Sequence, residues 1–179
     1  MSLKKKIQEN LITALKEKKD YYPPTTLRGE IEVSTLRMLL AAILNKEKEK
    51  RYKLSREKTD LEEKELQKES QLTDEEVIEV ISSEAKKRKE AISEFEKGER
   101  QDLVEKETKE KEILEKYLPE QLSEEEIQKL VKEAIEKTGA KELKDMGKVM
   151  AELMPQVKGR AEGGLVSKIV RDSLTPKIE

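Results

Sequence analysis

A chain of 179 residues with 44% charged and only 34% hydrophobic residues cannot enclose a thick apolar centre, and it suits one ordinary domain or two small ones. Its 38 Lys and Arg nearly balance 40 Asp and Glu, leaving a formal charge of -2, so attraction to nucleic acid or a membrane surface must come from a local patch. The lack of cysteine and histidine excludes disulfides, thiolate chemistry, imidazole acid–base catalysis and the usual zinc sites.

The charged residues are mostly Lys, Glu and Arg, all good helix formers, and aromatic residues are scarce. The expected fold class is therefore all-α, with long solvated helices rather than disorder. No apolar run has the length of a signal peptide or a membrane span, which places the expected protein in the cytoplasm or another reducing interior compartment.

Leu3, Ile7, Leu11, Ala14 and Leu15 have helical spacing behind Ser2 as N-cap, and this first helix is expected to stop near Asp20. Tyr21-Tyr22-Pro23-Pro24-Thr25-Thr26 breaks it, because proline lacks an amide donor and disfavours helical geometry in its predecessor. A loop is expected to about Glu32. Val33, Leu36, Leu39, Leu40, Ile43 and Leu44 then form one of the most apolar faces and the expected centre of the N-terminal core.

Between Asn45 and Leu72 charge dominates, and Lys46, Lys48, Lys50, Arg51, Lys53, Arg56 and Lys58 outnumber Glu47, Glu49 and Glu57. A solvated helical extension or linker is preferred there over a nucleic-acid contact. Thr73 with Glu76 is a capping box, opening a helix to about Lys97 whose seam runs through Ile78, Ile81, Ala85, Arg88, Ile92 and Phe95. Arg88 lies on that seam, and its stem is expected to pack while the guanidinium reaches the edge, in preference to pairing with a buried carboxylate. Gly98 is expected to stop the helix in the left-handed conformation.

A further helix spans about Arg100 to Tyr117, and Leu118-Pro119 marks the expected boundary between an N-terminal domain, 1–118, and a C-terminal domain, 119–179. Ser123 with Glu126 is a second capping box, and Gly139 ends the helix that follows. Met146, Val149, Met150 and Leu153 mark a helix expected to stop at Pro155, and Leu165, Val166, Ile169, Val170 and Leu174 mark the last. Three short amphipathic helices of this kind can cover one another's apolar faces.

The stretch Asp145 to Gly164 holds four of the seven glycines and the step Lys158-Gly159-Arg160. Glycine lets backbone approach a ligand, and a following helix start offers unpaired amides, so a phosphate contact can be built there. A purely structural helix–helix turn explains the same residues. Over 141–171 seven basic residues face four acidic ones, a modest excess. No Walker loop, GxGxxG or GxSxG motif occurs, and no catalytic constellation, metal site or cofactor is expected.

Ser34-Thr35-Leu36-Arg37-Met38-Leu39, Lys87-Arg88-Lys89-Glu90-Ala91-Ile92, Tyr117-Leu118-Pro119-Glu120-Gln121-Leu122, Asp145-Met146-Gly147-Lys148-Val149-Met150 and Lys158-Gly159-Arg160-Ala161 together resemble the GatB/YqeY family. The resemblance covers most of the chain in order, and 21–32 and 45–71 look longer than the family's usual connections. It implies an all-helical N-terminal domain joined to a small helical C-terminal domain similar to the tail of the B subunit of the glutamine-dependent aminoacyl-tRNA amidotransferase. In that enzyme the tail helps hold tRNA, while kinase and amidase chemistry lies elsewhere, in parts this chain is too short to include.

The implied partner is tRNA or a tRNA-handling enzyme, with no membrane. By position the resemblance points to Lys148, Lys158, Gly159 and Arg160 as nucleic-acid-binding residues, and placement on the last helix adds Lys168 and Arg171. Two alternatives stand beside this expectation: a protein–protein adaptor without RNA contact, and an accessory to an amidotransferase-type carbon–nitrogen ligase complex.

Overall fold

The computed structural model describes residues 2–20, 27–58 and 62–175. These form helices and connecting turns, with no strand among the described residues, so the all-α class holds. The chain divides into two compact units, Met1–Tyr117 and Leu118–Glu179.

The first unit contains α1 (Leu3–Asp20), α2 (Leu27–Glu57), α3 (Glu63–Glu69), α4 (Asp74–Lys97) and α5 (Gln101–Glu115). Helix α2 is central, packing against all four others. Ile7, Leu36, Leu39, Ile43, Val77, Ile81 and Leu114 are almost wholly removed from solvent, and each such side chain contributes about 1.5–3 kcal/mol of transfer free energy. The Tyr117 hydroxyl accepts a 2.8 Å hydrogen bond from Asn10. Burial raises the Tyr117 pKa above its ordinary value, against the opposite effect of that bond.

Several local expectations are corrected. Helix α2 begins at Leu27 rather than after Glu32, because Ile31 and Val33 are both buried and tie its first turns to the core. Tyr21 to Thr26, with both prolines, lie outside the described residues. Leu44 is 48% exposed: the buried seam advances from Ile43 by four residues to Glu47, and Leu44 points about 100° away from Ile43. Glu47 is buried, with both carboxylate oxygens 2.7 Å from Lys4 Nζ and the Leu72 amide donating to it at 3.4 Å.

Helix α4 opens with the expected capping box, the Glu76 amide donating to Thr73 Oγ1 and the Thr73 amide to Glu76. Burial alone would raise the Glu76 pKa. The Lys50 ammonium and the Thr73 amide outweigh it and hold the carboxyl below the ordinary range. Helices α4 and α5 form an antiparallel hairpin, and the left-handed residue in its turn is Glu99 at φ 54, while Gly98 stays at φ -87.

Arg88 also departs from expectation. Its Nε lies 2.8 Å from Glu110 and 3.4 Å from Glu107, and the Glu110 side chain is only 3% exposed. The guanidinium therefore pairs with a buried carboxylate rather than reaching out to solvent. The reason is the demand of Glu110: a carboxylate so far from water is costly without a counter-charge, and the Arg88 side chain is the one placed to supply it at close range.

The second unit contains α6 (Glu124–Thr138), a 3-10 turn (Leu143–Asp145), α7 (Met146–Val157) and α8 (Gly163–Leu174). Ile127, Val131, Val149, Leu153, Val166 and Val170 centre its core. Gly139 ends α6 at φ 65, in the left-handed region. Helix α7 runs two residues past Pro155 to Val157, because Val157 is buried and near a helix end the missing proline amide removes only one bond of the final turn.

Candidate functional site

Helix α7 ends at Val157 with Lys158 as its cap residue, whose amide donates to the Met154 carbonyl at 3.1 Å. The turn is made by Gly159 at φ 72, a conformation open to glycine at no steric cost. The chain then turns back, the Arg160 and Ala161 amides both donating to the Val157 carbonyl at 3.0 Å.

This turn is fastened to the segment before α6. Gln121 Nε2 donates to the Gly159 carbonyl at 2.8 Å and to the Pro119 carbonyl at 2.9 Å. The Leu122 amide donates to the Arg160 carbonyl at 2.7 Å, and Arg160 Nε donates to the Glu120 carbonyl at 3.3 Å. Two of the motifs singled out in the sequence, Pro119 to Leu122 and Lys158 to Ala161, are thus one structural piece. Gln121 is the positioning residue that sequence reasoning missed: it stands inside its motif, but nothing in its spacing connects it to a turn 38 residues away.

Arg160 is half-buried and takes part in this frame. Its charge also acts on Glu126, whose carboxyl is held below the ordinary range first by the Ser123 amide and hydroxyl, then by Arg160 and Lys129. Lys158 is half-buried too, and it has an interaction of its own within the chain.

The other candidate residues lie apart from the turn. Lys148 sits in the first turn of α7, about 15 Å along the axis from Lys158 by helical rise. Its ammonium is 3.0 Å from Asp145, which lowers the Asp145 pKa, with the Lys141 amide adding to the effect. Lys168 lines a groove between α6 and α8 together with Lys132, Glu124, Glu136 and Asp172, where carboxylates outnumber ammonium groups. Arg171 is exposed one turn further along α8.

Acidic neighbours offset much of the local basic excess. Besides the Lys148–Asp145 pair, Lys144 pairs with Glu142 at 2.8 Å and Lys137 pairs with Glu152. Among the described residues no cluster of His, Cys, Asp or Glu is arranged to hold a metal ion, and no helix is long and apolar enough to cross a membrane.

Two helical units, the second a three-helix unit whose last turn is fastened to its first segment, define an all-helical protein. The family model for Yqey-like protein matches residues 45–174, and the chain belongs to this family. A protein of Pyrenophora tritici-repentis named altered inheritance of mitochondria protein 41, mitochondrial, is 37% identical over 109 residues. That match covers 59% of this chain and 59% of the relative, so the chain aligns with less than two thirds of that protein's length.

Proposed function

We propose that this is a non-catalytic protein that contacts tRNA, or an enzyme that handles tRNA, through the Lys158-Gly159-Arg160 turn. The observation that supports it is the frame of hydrogen bonds from Gln121, Leu122 and Arg160. It holds the two basic residues in a set backbone conformation, so little ordering entropy is lost when a phosphate is bound. Lys148, Lys168 and Arg171 belong to the proposal as outlying contacts. The resemblance of these motifs to the amidotransferase tail supplies the choice of tRNA.

Titration of labelled tRNA at several salt concentrations tests it. Binding is expected to weaken steeply with salt, and Lys158→Ala with Arg160→Ala is expected to reduce the log–log slope by roughly 2, one unit for each phosphate interaction removed. Gln121→Ala, which leaves both charges, is expected to weaken binding through the turn's geometry. Absence of tRNA binding at low salt refutes direct contact with tRNA.

A second reading is favoured by the ion pairs that offset the basic residues of the C-terminal unit: an adaptor whose long N-terminal helices bind another protein. As an accessory in an amidotransferase-type complex the chain alone is expected to hydrolyse no glutamine, which a direct assay with and without candidate partners checks. The proposed compartment is the cytoplasm, on the composition of the chain, and cell fractionation decides it against the mitochondrial location in the relative's name.

A further inference from the structure

The basic residues of 46–58 are sorted by α2 onto different sides. Lys46, Lys50 and Lys53 line the groove toward α4 beside Glu49, Glu76 and Glu84. Lys50 there is 2.7 Å from Glu76 and also donates to the Gln71 carbonyl. Lys48, Arg51 and Arg56 fall on another side, and at about 100° per residue Arg37 joins them.

Between Ser34 and Arg56, about 33 Å of helix, no carboxylate of α2 projects into this sector of roughly 140°. Glu47 is turned into the core, and Glu49 lies on the flank, paired with Lys46 at 3.0 Å. Over this length α2 itself therefore adds no carboxylate to the face, in a chain with 40 acidic residues, and Glu30 shares the sector only one turn before Ser34.

The same sector is apolar for an exposed surface. Met38, Leu44 and Tyr52 are 42%, 48% and 63% exposed, and they are three of the six large hydrophobic side chains left exposed among the described residues. The Met38 sulfur accepts a 3.7 Å contact from Arg88, and the Arg56 guanidinium lies 5.8 Å from the Tyr52 ring centroid. Tyr, Met and Arg are the residue types enriched in protein–protein interfaces.

We propose that this face of α2 docks an acidic amphipathic helix of a partner protein. Its apolar residues would cover Met38, Leu44 and Tyr52, and its carboxylates would meet Arg37, Lys48, Arg51 and Arg56. A second copy of the same face would set cation against cation, and a nucleic-acid backbone would leave Met38 and Leu44 uncovered. The opposite side of α2 is clamped by buried Leu36, Leu39 and Ile43, so the helix cannot roll to submerge three sparse apolar groups in a lipid surface. The proposal is independent of the C-terminal turn, and it gives the adaptor reading a surface and a partner chemistry.

The test is fluorescence anisotropy with the full chain and a labelled helical peptide of about three heptads, carrying a leucine stripe flanked by glutamate. Binding is expected to be at least roughly tenfold tighter than for a peptide of the same composition with the stripe scrambled, and Arg51→Glu with Tyr52→Ala is expected to weaken it by a similar factor. Lys53→Glu, on the groove side, is expected to leave it within about twofold. Circular dichroism establishes that each variant is folded.

Four outcomes overturn the proposal: no binding at about 100 μM peptide, equal binding of the scrambled peptide, insensitivity to the double variant, or tighter binding of uridylate RNA or phosphatidylserine vesicles that the double variant abolishes. Lys158→Ala is run alongside with tRNA. Its result bears on the C-terminal turn alone, so failure of either proposal is read separately.

Discussion

At the residue scale the Arg88–Glu110 pair is the most consequential departure from expectation. Arg88→Ala leaves the buried Glu110 carboxylate with only Lys106, at 3.9 Å, and a loss of about 3 kcal/mol is expected in urea denaturation. Arg88→Met with Glu107→Gln and Glu110→Leu removes all three charges of the cluster, and is expected to recover most of that loss. Spacing alone puts Arg88 on a seam, but its partner comes from α5, and which residue faces it depends on how the hairpin pairs. Gly139 is the opposite case: its place after the helix capped by Ser123 makes a stop legible, and it takes φ 65. Gly98, in the same place after α4, stays at φ -87, so the stop is local and its conformation is not. Gly139→Ala is expected to cost about 1 kcal/mol by the same denaturation measurement.

At the element scale the two capping boxes are readable because both partners sit within one turn, Thr73 with Glu76 and Ser123 with Glu126. The Glu76 and Glu126 carboxyls both lie below the ordinary glutamate value of 4.5. A depressed pKa contributes stability that is present above the unfolded value and is lost as pH falls through the folded value. Thermal melts are therefore expected to fall in midpoint as pH drops below 4.5, and Glu126→Gln is expected to flatten that dependence. Helix ends near proline are less legible. Pro155 carries a local stop signal, but burial of Val157 takes α7 beyond it, and burial of Ile31 and Val33 likewise extends α2 back into a stretch whose local pattern suggests a loop.

At the scale of the whole molecule, the C-terminal unit has its own core, drawn from α6, α7 and α8. We propose that it is an autonomous domain. A fragment covering 118–179 is expected to show helical circular dichroism and a cooperative melt, and a featureless melt would count against this. Composition and local pattern determined by themselves the all-helical class, the two capping boxes, the helix stop at Gly139 and the apolar stripes of the C-terminal helices, because each depends on residues within a few turns of one another. The seams of α2 and α4 were legible only in part, since Leu44 is exposed and Val77 rather than Ile78 is fully buried. Tertiary structure alone decided the partner of Arg88, the fastening of the Lys158 turn by Gln121, and which basic residues of α2 face acidic neighbours. These depend on side chains brought together across long separations, where packing rather than local spacing selects the contact.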